Sequence, residues 1–174
     1  MKALTLWQPW ASLVVAGLKP YEFRRWPLPR ALVGQRIVIH AAARPLDMGE
    51  VLDLLDPRTR RLAASVAGSP QQLLEARRML ERMRREPHAT PLGAGLGTVV
   101  LGAPQRAIDI AWGDVEPADI DPDVWAWPMT DADPWPVPLL ARGRQGFWVW
   151  PDPSPERWFE SVRANRTSTT GGTP

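Results

Sequence analysis

Apolar, β-branched and aromatic residues come in short runs in this chain, and glycine or proline cuts each run off. "KALTL", "RIVIHAAA", "GTVVLG", "QRAIDIAW", "VWAWPM" and "GFWVWP" each suit one strand bounded by turns. At least six such strands predict a small closed or partly closed β-barrel. Helical signals are fewer. "PWASLVVAG" reads as a short helix with Pro9 at its first position and Gly17 at its C-terminal cap. Residues 46–86 read as a helical insertion. Asp56-Pro57 opens one segment there, and Ser69-Pro70-Gln71-Gln72 is a capping box ahead of "LLEARRMLERMRRE". Leu73, Leu74, Met79, Leu80 and Met83 form its apolar stripe, while Arg77, Arg78, Arg82, Arg84 and Arg85 read as a solvated face. The expected class is α+β, mainly β, a barrel with peripheral helices. Ser154-Pro155 predicts a last helix, so one domain is expected over 1–165, with a disordered tail at 166–174.

Composition narrows the function classes. A length of 174 residues suits one domain, and 44% apolar content excludes wholesale disorder. No run approaches the roughly 18 apolar residues of a membrane span. "MKALTLWQPW" lacks the unbroken apolar core of an export signal, so a soluble, cytoplasmic protein with no membrane partner is expected. The chain has no cysteine, hence no disulfide and no thiolate nucleophile, and His40 and His88 lie 48 positions apart. Neither a metal site nor a cofactor is expected. The formal charge of +2 is uneven: residues 107–141 hold eight acids and no Lys or Arg, so the remainder carries 21 minus 11, or +10. Such a surface attracts phosphates. Of the 21 basic residues only Lys2 and Lys19 are lysines.

Lys19 lies in the densest polar stretch, "GLKPYEFRRW". Pro20 biases Lys19 toward extended backbone. The alternation that follows sets Tyr21 and Phe23 on one side of a strand, and Glu22 and Arg24 on the other. A lysine, a carboxylate and an arginine on a barrel wall are costly to bury unless paired. The cluster reads as a site; the structural alternative is an ion pair that ties the helix to the barrel. Ten tryptophans accompany it, of which seven or eight suit core and rim packing, and the rest suit stacking of bases. His40 ends an apolar strand and reads as a packed, hydrogen-bonded histidine rather than a catalytic one, His88 as solvated. "LGAGLGT" lacks the Lys-Ser/Thr of a phosphate loop and reads as turn and bulge chemistry.

Three ordered segments, "LWQPWASLVVAGLKPYEFRRW", "GQRIVIHAA" and "RGRQGFWVW", resemble the ASCH domain, the activating-signal-cointegrator homology domain of the PUA-like superfamily. The family motif Gly-x-Lys-x-x-Glu-x-Arg falls on Gly17, Lys19, Glu22 and Arg24, and the likeness spans about residues 2–150. It implies a β-barrel with peripheral helices, a cleft into which the Lys-Glu-Arg strand projects and against which the strand ending at His40 abuts, and a role in binding RNA or otherwise handling nucleic acid.

Two functions follow from it. One is a binding module for single-stranded RNA: Lys19 and Arg24 contact phosphates, Trp7, Trp10 or Trp26 stacks a base, and Arg144 or Gln145 reads an edge. The other is an amidohydrolase acting on an N4-acylated cytidine or a related modified nucleoside, as in small bacterial relatives whose site joins a lysine, a threonine nucleophile and a glutamate. Lys19 matches that lysine, and the threonine position falls on Glu22. Glu22 would then serve as general base on water, with Lys19 or Arg24 stabilising the oxyanion.

Overall fold

The computed structural model describes residues 1–66, 69–110 and 121–151. Seven strands alternate with helices: β1 (Lys2–Leu6), α1 (Trp10–Val15), β2 (Tyr21–Arg24), β3 (Arg36–Ala41), α2 (Met48–Leu55), α3 (Arg61–Val66), α4 (Pro70–Arg85), β4 (Ala94–Leu101), β5 (Gln105–Arg106), β6 (Trp125–Leu140) and β7 (Phe147–Val149). One sheet in the order β2-β6-β4-β3-β1-β7, with β5 also on β6, curls into a half-barrel. All its pairings are antiparallel except β1 with β3. The expected class, α+β and mainly β, is the observed one.

The pleat sends alternate residues inward. Leu4, Leu6, Ile37, Ile39, Val99, Leu101, Trp127 and Met129 fill the barrel, with Val14 and Val15 of α1 closing one end. Trp127 and Phe147 stack at 5.7 Å and link β6 to β7. Ala3, Val38, Leu139, Trp148 and Trp150 pack on the other face. A third cluster joins Leu13 and Leu18 to Val51, Leu54, Leu62, Ala76 and Leu80 of α2–α4. The three helices between β3 and β4 thus bury their apolar stripe against α1.

The α4 capping box forms as expected: Ser69 Oγ accepts from Gln72 N, and Gln72 Oε1 accepts from Ser69 N. Asp56-Pro57 does not open a helix. It ends α2, whose N-cap is Asp47, with Asp47 Oδ1 accepting from Gly49 N and Glu50 N. Among the described residues of "QRAIDIAW", 105–110, only the two of β5 are strand, because the partner strand β6 begins at Trp125 and the ladder ends with the Arg106–Trp125 pair. A 3₁₀ turn, Ala107–Asp109, follows. No helix among the described residues is long and apolar enough to cross a membrane. The expected final helix, the tail and residues 111–120 of the acidic segment lie outside the described residues.

Candidate nucleic-acid interface

The site begins where α1 ends. Gly17 takes φ +70°, a conformation that glycine adopts without strain, and the backbone amides of Leu18 and Lys19 both bond to Leu13 O. This turn folds Lys19 back beneath the sheet. After Pro20 the chain enters β2, whose residues Glu22 and Arg24 pair in register with Trp127 and Trp125 of β6.

The two faces of β2 differ from the simple alternation. The charged face is the deeper one: Glu22 is buried, while Tyr21 and Phe23 are half-buried. Burial of a carboxylate demands partners. Glu22 Oε2 accepts from Lys19 Nζ at 3.1 Å, and Glu22 Oε1 accepts from Arg24 Nη2 at 3.0 Å. Lys19 also donates to Tyr21 O, and its ammonium lies 5.0 Å from the Phe23 ring centroid and 5.6 Å from that of Trp10. These contacts enclose Lys19, which is 5% exposed. It stands behind Glu22 and does not line the cleft.

The cleft has a volume of about 1030 Å³. That exceeds the upper end of the roughly 300–1,000 Å³ usual for small-ligand sites. Glu22, Arg24, Trp7, Trp10, Trp26, His40, Arg144 and Gln145 all border it. Of the residues singled out in the sequence, Lys19 alone is displaced from its wall. Sequence reasoning missed Thr5, Trp127, Arg142, Gly143 and Phe147, which also border it. Thr5 sits on a strand with no motif to mark it, whereas Arg142, Gly143 and Phe147 lie inside "RGRQGFWVW", of which only Arg144 and Gln145 were singled out.

Glu22 is already matched by Lys19 and Arg24, and two further arginines, Arg142 and Arg144, line the cleft. The resulting field favours anions. At the rim, Trp7 and Trp26 are 57% and 53% exposed. A guanidinium accompanies each ring: Arg44 lies 4.2 Å from the Trp7 centroid, and Arg24 lies 5.7 Å from that of Trp26. Trp127 Nε1 donates to Trp26 O at 3.1 Å and holds the Trp26 backbone in place. Trp10 Nε1 donates to Glu50 Oε1 at 3.1 Å, which ties α1 to α2.

His40 is fully buried in the wall between the cleft and the Trp148 and Trp150 rings. Its Nε2 lies 3.0 Å from Ala141 O. A carbonyl oxygen only accepts, so the hydrogen-bond network assigns the proton to Nε2 and leaves Nδ1 a bare acceptor without a partner. Burial pushes the imidazole pKa below its ordinary value, and the hydrogen bond to Ala141 O opposes that shift. The ring is therefore neutral at pH 7. Gly143 lies against it: a Cβ at that position would fall 2.5 Å from His40 Cε1 and 3.1 Å from Thr5 Oγ1. Among the described residues, no three His, Asp or Glu side chains converge as a metal site.

The profile of the ASCH domain matches residues 4–102, which cover α1, β2 and the barrel strands through β4. The chain belongs to the ASCH domain family. Among solved structures, the crystal structure of a mutant of ZmASCH from Zymomonas mobilis is similar to this ASCH domain. The two share 17% identity over 93% of this chain and 96% of that one, with a TM-score of 0.42. No curated protein matches the sequence.

Proposed function

We propose that this ASCH domain binds single-stranded RNA, with an unpaired base entering the cleft between Trp7 and Trp26 and the adjoining phosphates held by Arg142 and Arg144. The observation that carries this reading is the pair of exposed indoles at the rim, each beside an arginine. Core packing does not account for rings that are more than half exposed. Unpaired bases stack on tryptophan and on guanidinium planes, whereas a duplex hides its faces. The cleft is large enough for a whole nucleotide.

The amidohydrolase alternative is less well supported, because it needs Lys19 or Arg24 beside the reacting carbonyl. The Lys19 ammonium is enclosed by Tyr21 O, Glu22 and two aromatic rings, and Arg24 is committed to Glu22. Both cations serve the carboxylate.

Titration with a short single-stranded RNA and with a duplex of the same sequence tests the proposal. The single strand should bind more tightly, its affinity should fall as salt rises, and Trp7→Ala should weaken it by about 1–3 kcal/mol. Equal binding of both forms, or none at low salt, would overturn it.

A further inference from the structure

A second aromatic–arginine surface continues the cleft face beyond Arg24. In the ladders, Trp125 of β6 pairs with Arg24 on one side and with Arg106 of β5 on the other. Directly paired residues project to the same face, and Trp125 shares that face with Trp127, two residues along. Trp127 lines the cleft. Arg24, Trp125 and Arg106 therefore form a row across three strands, on the cleft face and adjacent to the Glu22–Trp127 pair. With strands roughly 4.8 Å apart, the backbones of Arg24 and Arg106 lie about 10 Å apart, one on each side of Trp125.

The Arg106 guanidinium lies 4.3 Å from the Trp125 ring centroid, closer than Arg24 lies to Trp26. Arg106 is exposed, and Nη1 donates to Pro122 O at 3.2 Å, which helps to hold the guanidinium over the ring. A guanidinium seated over an indole can offer its outer face to a base and its edge to a phosphate. A single mononucleotide in the cleft has no use for such a row. A chain leaving the cleft past Arg24 meets it next.

We infer that the ligand is an oligonucleotide at least about three nucleotides long, whose further nucleotides cross β6 and stack on Arg106 over Trp125. This rests on the reading of the cleft as an RNA site. The phosphate beside the stacked base adds a salt-sensitive contact.

Affinities of AMP and of oligoadenylates of increasing length, up to six nucleotides, test the inference in wild type, Arg106→Gln and Arg106→Lys. Wild-type affinity should rise with length and level off after about three or four nucleotides. Arg106→Gln should abolish that gain, roughly fivefold or more, and lower the salt slope by about one. AMP affinity, set by the cleft alone, should stay the same. Arg106→Lys should keep the slope and lose the stacking gain, which a role confined to holding Pro122 would not produce. Equal wild-type affinity for AMP and the hexamer would leave the cleft reading standing and overturn the track. So would a length-dependent gain that survives Arg106→Gln. No binding of any oligomer at low salt would overturn both.

Discussion

Lys19 Nζ and Glu22 Oε2 form an ion pair of 3.1 Å in which the two side chains are only 5% and 11% exposed. A buried pair contributes little over an apolar replacement, but removal of one partner strands the other charge. Arg24 still pairs with Glu22, so Lys19→Ala should cost roughly 1–3 kcal/mol of stability, and Lys19→Met combined with Glu22→Gln should recover much of that loss. Urea denaturation of the single and double variants measures both. Additive losses would show that the two groups do not depend on each other. Lys19 then acts on the ligand indirectly, by setting the position of Glu22.

His40 makes stability depend on pH in a stated direction. The native state disfavours its protonation because the ring is buried, whereas the unfolded chain takes up a proton near the ordinary value of 6.5. The unfolded state binds more protons in this window, so stability is intact above about pH 6.5 and falls as pH drops, at up to about 1.4 kcal/mol per unit. His40→Gln should flatten the slope between about pH 5 and 6.5, above the range where most carboxylates titrate. An unchanged slope in chemical denaturation would remove His40 as its source.

Gly143 should tolerate no side chain. An alanine Cβ there would lie 2.5 Å from His40 Cε1 and 2.8 Å from Nδ1. His40 is fully buried beside the Trp148 and Trp150 rings and has little room to give. Gly143→Ala should cost about 1–3 kcal/mol and displace the neighbouring Arg144 and Gln145, so that RNA affinity falls as well. Wild-type melting temperature and affinity together would show that the loop relaxes freely.

Local patterns made much of this fold legible. The capping box at Ser69 and the short apolar runs of β1 and β3 are set by neighbouring residues, and the structure places all three where the pattern does. β6 was less readable. Only "VWAWPM" looks like a strand, yet β6 runs on to Leu140. Pro134 pairs with Gly97 and Leu139 with Gly95, and the register shifts between them, so that Pro136 and Pro138 fall in the irregular stretch, where a missing N–H costs no ladder bond. For the site, the motif marked Glu22 and Arg24, but the spacing could not show that Lys19 turns inward. That depends on Gly17 and on the rings of Trp10 and Phe23, which close over the ammonium. Thr5 and Gly143 reach the cleft through strand pairing and loop closure, which no local pattern encodes.

Two tryptophans of the same cleft should respond in opposite ways to truncation. Trp127 is 1% exposed, stacks on Phe147 at 5.7 Å, and donates its indole N–H to Trp26 O. Its removal opens a cavity at the link between β6 and β7, so Trp127→Ala should cost about 3–5 kcal/mol. Trp26 meets Trp127 edge-on at 6.2 Å and is otherwise 53% exposed. Trp26→Ala should cost under about 1.5 kcal/mol, the scale of one aromatic pair. It should weaken RNA binding by about 1–3 kcal/mol, because the stacking face is lost while the cleft stays folded. Thermal melts paired with RNA titrations separate the two effects. If Trp26→Ala melted far below wild type, or bound RNA as tightly, the exposed ring would be a structural prop and its proposed contact with a base would be wrong.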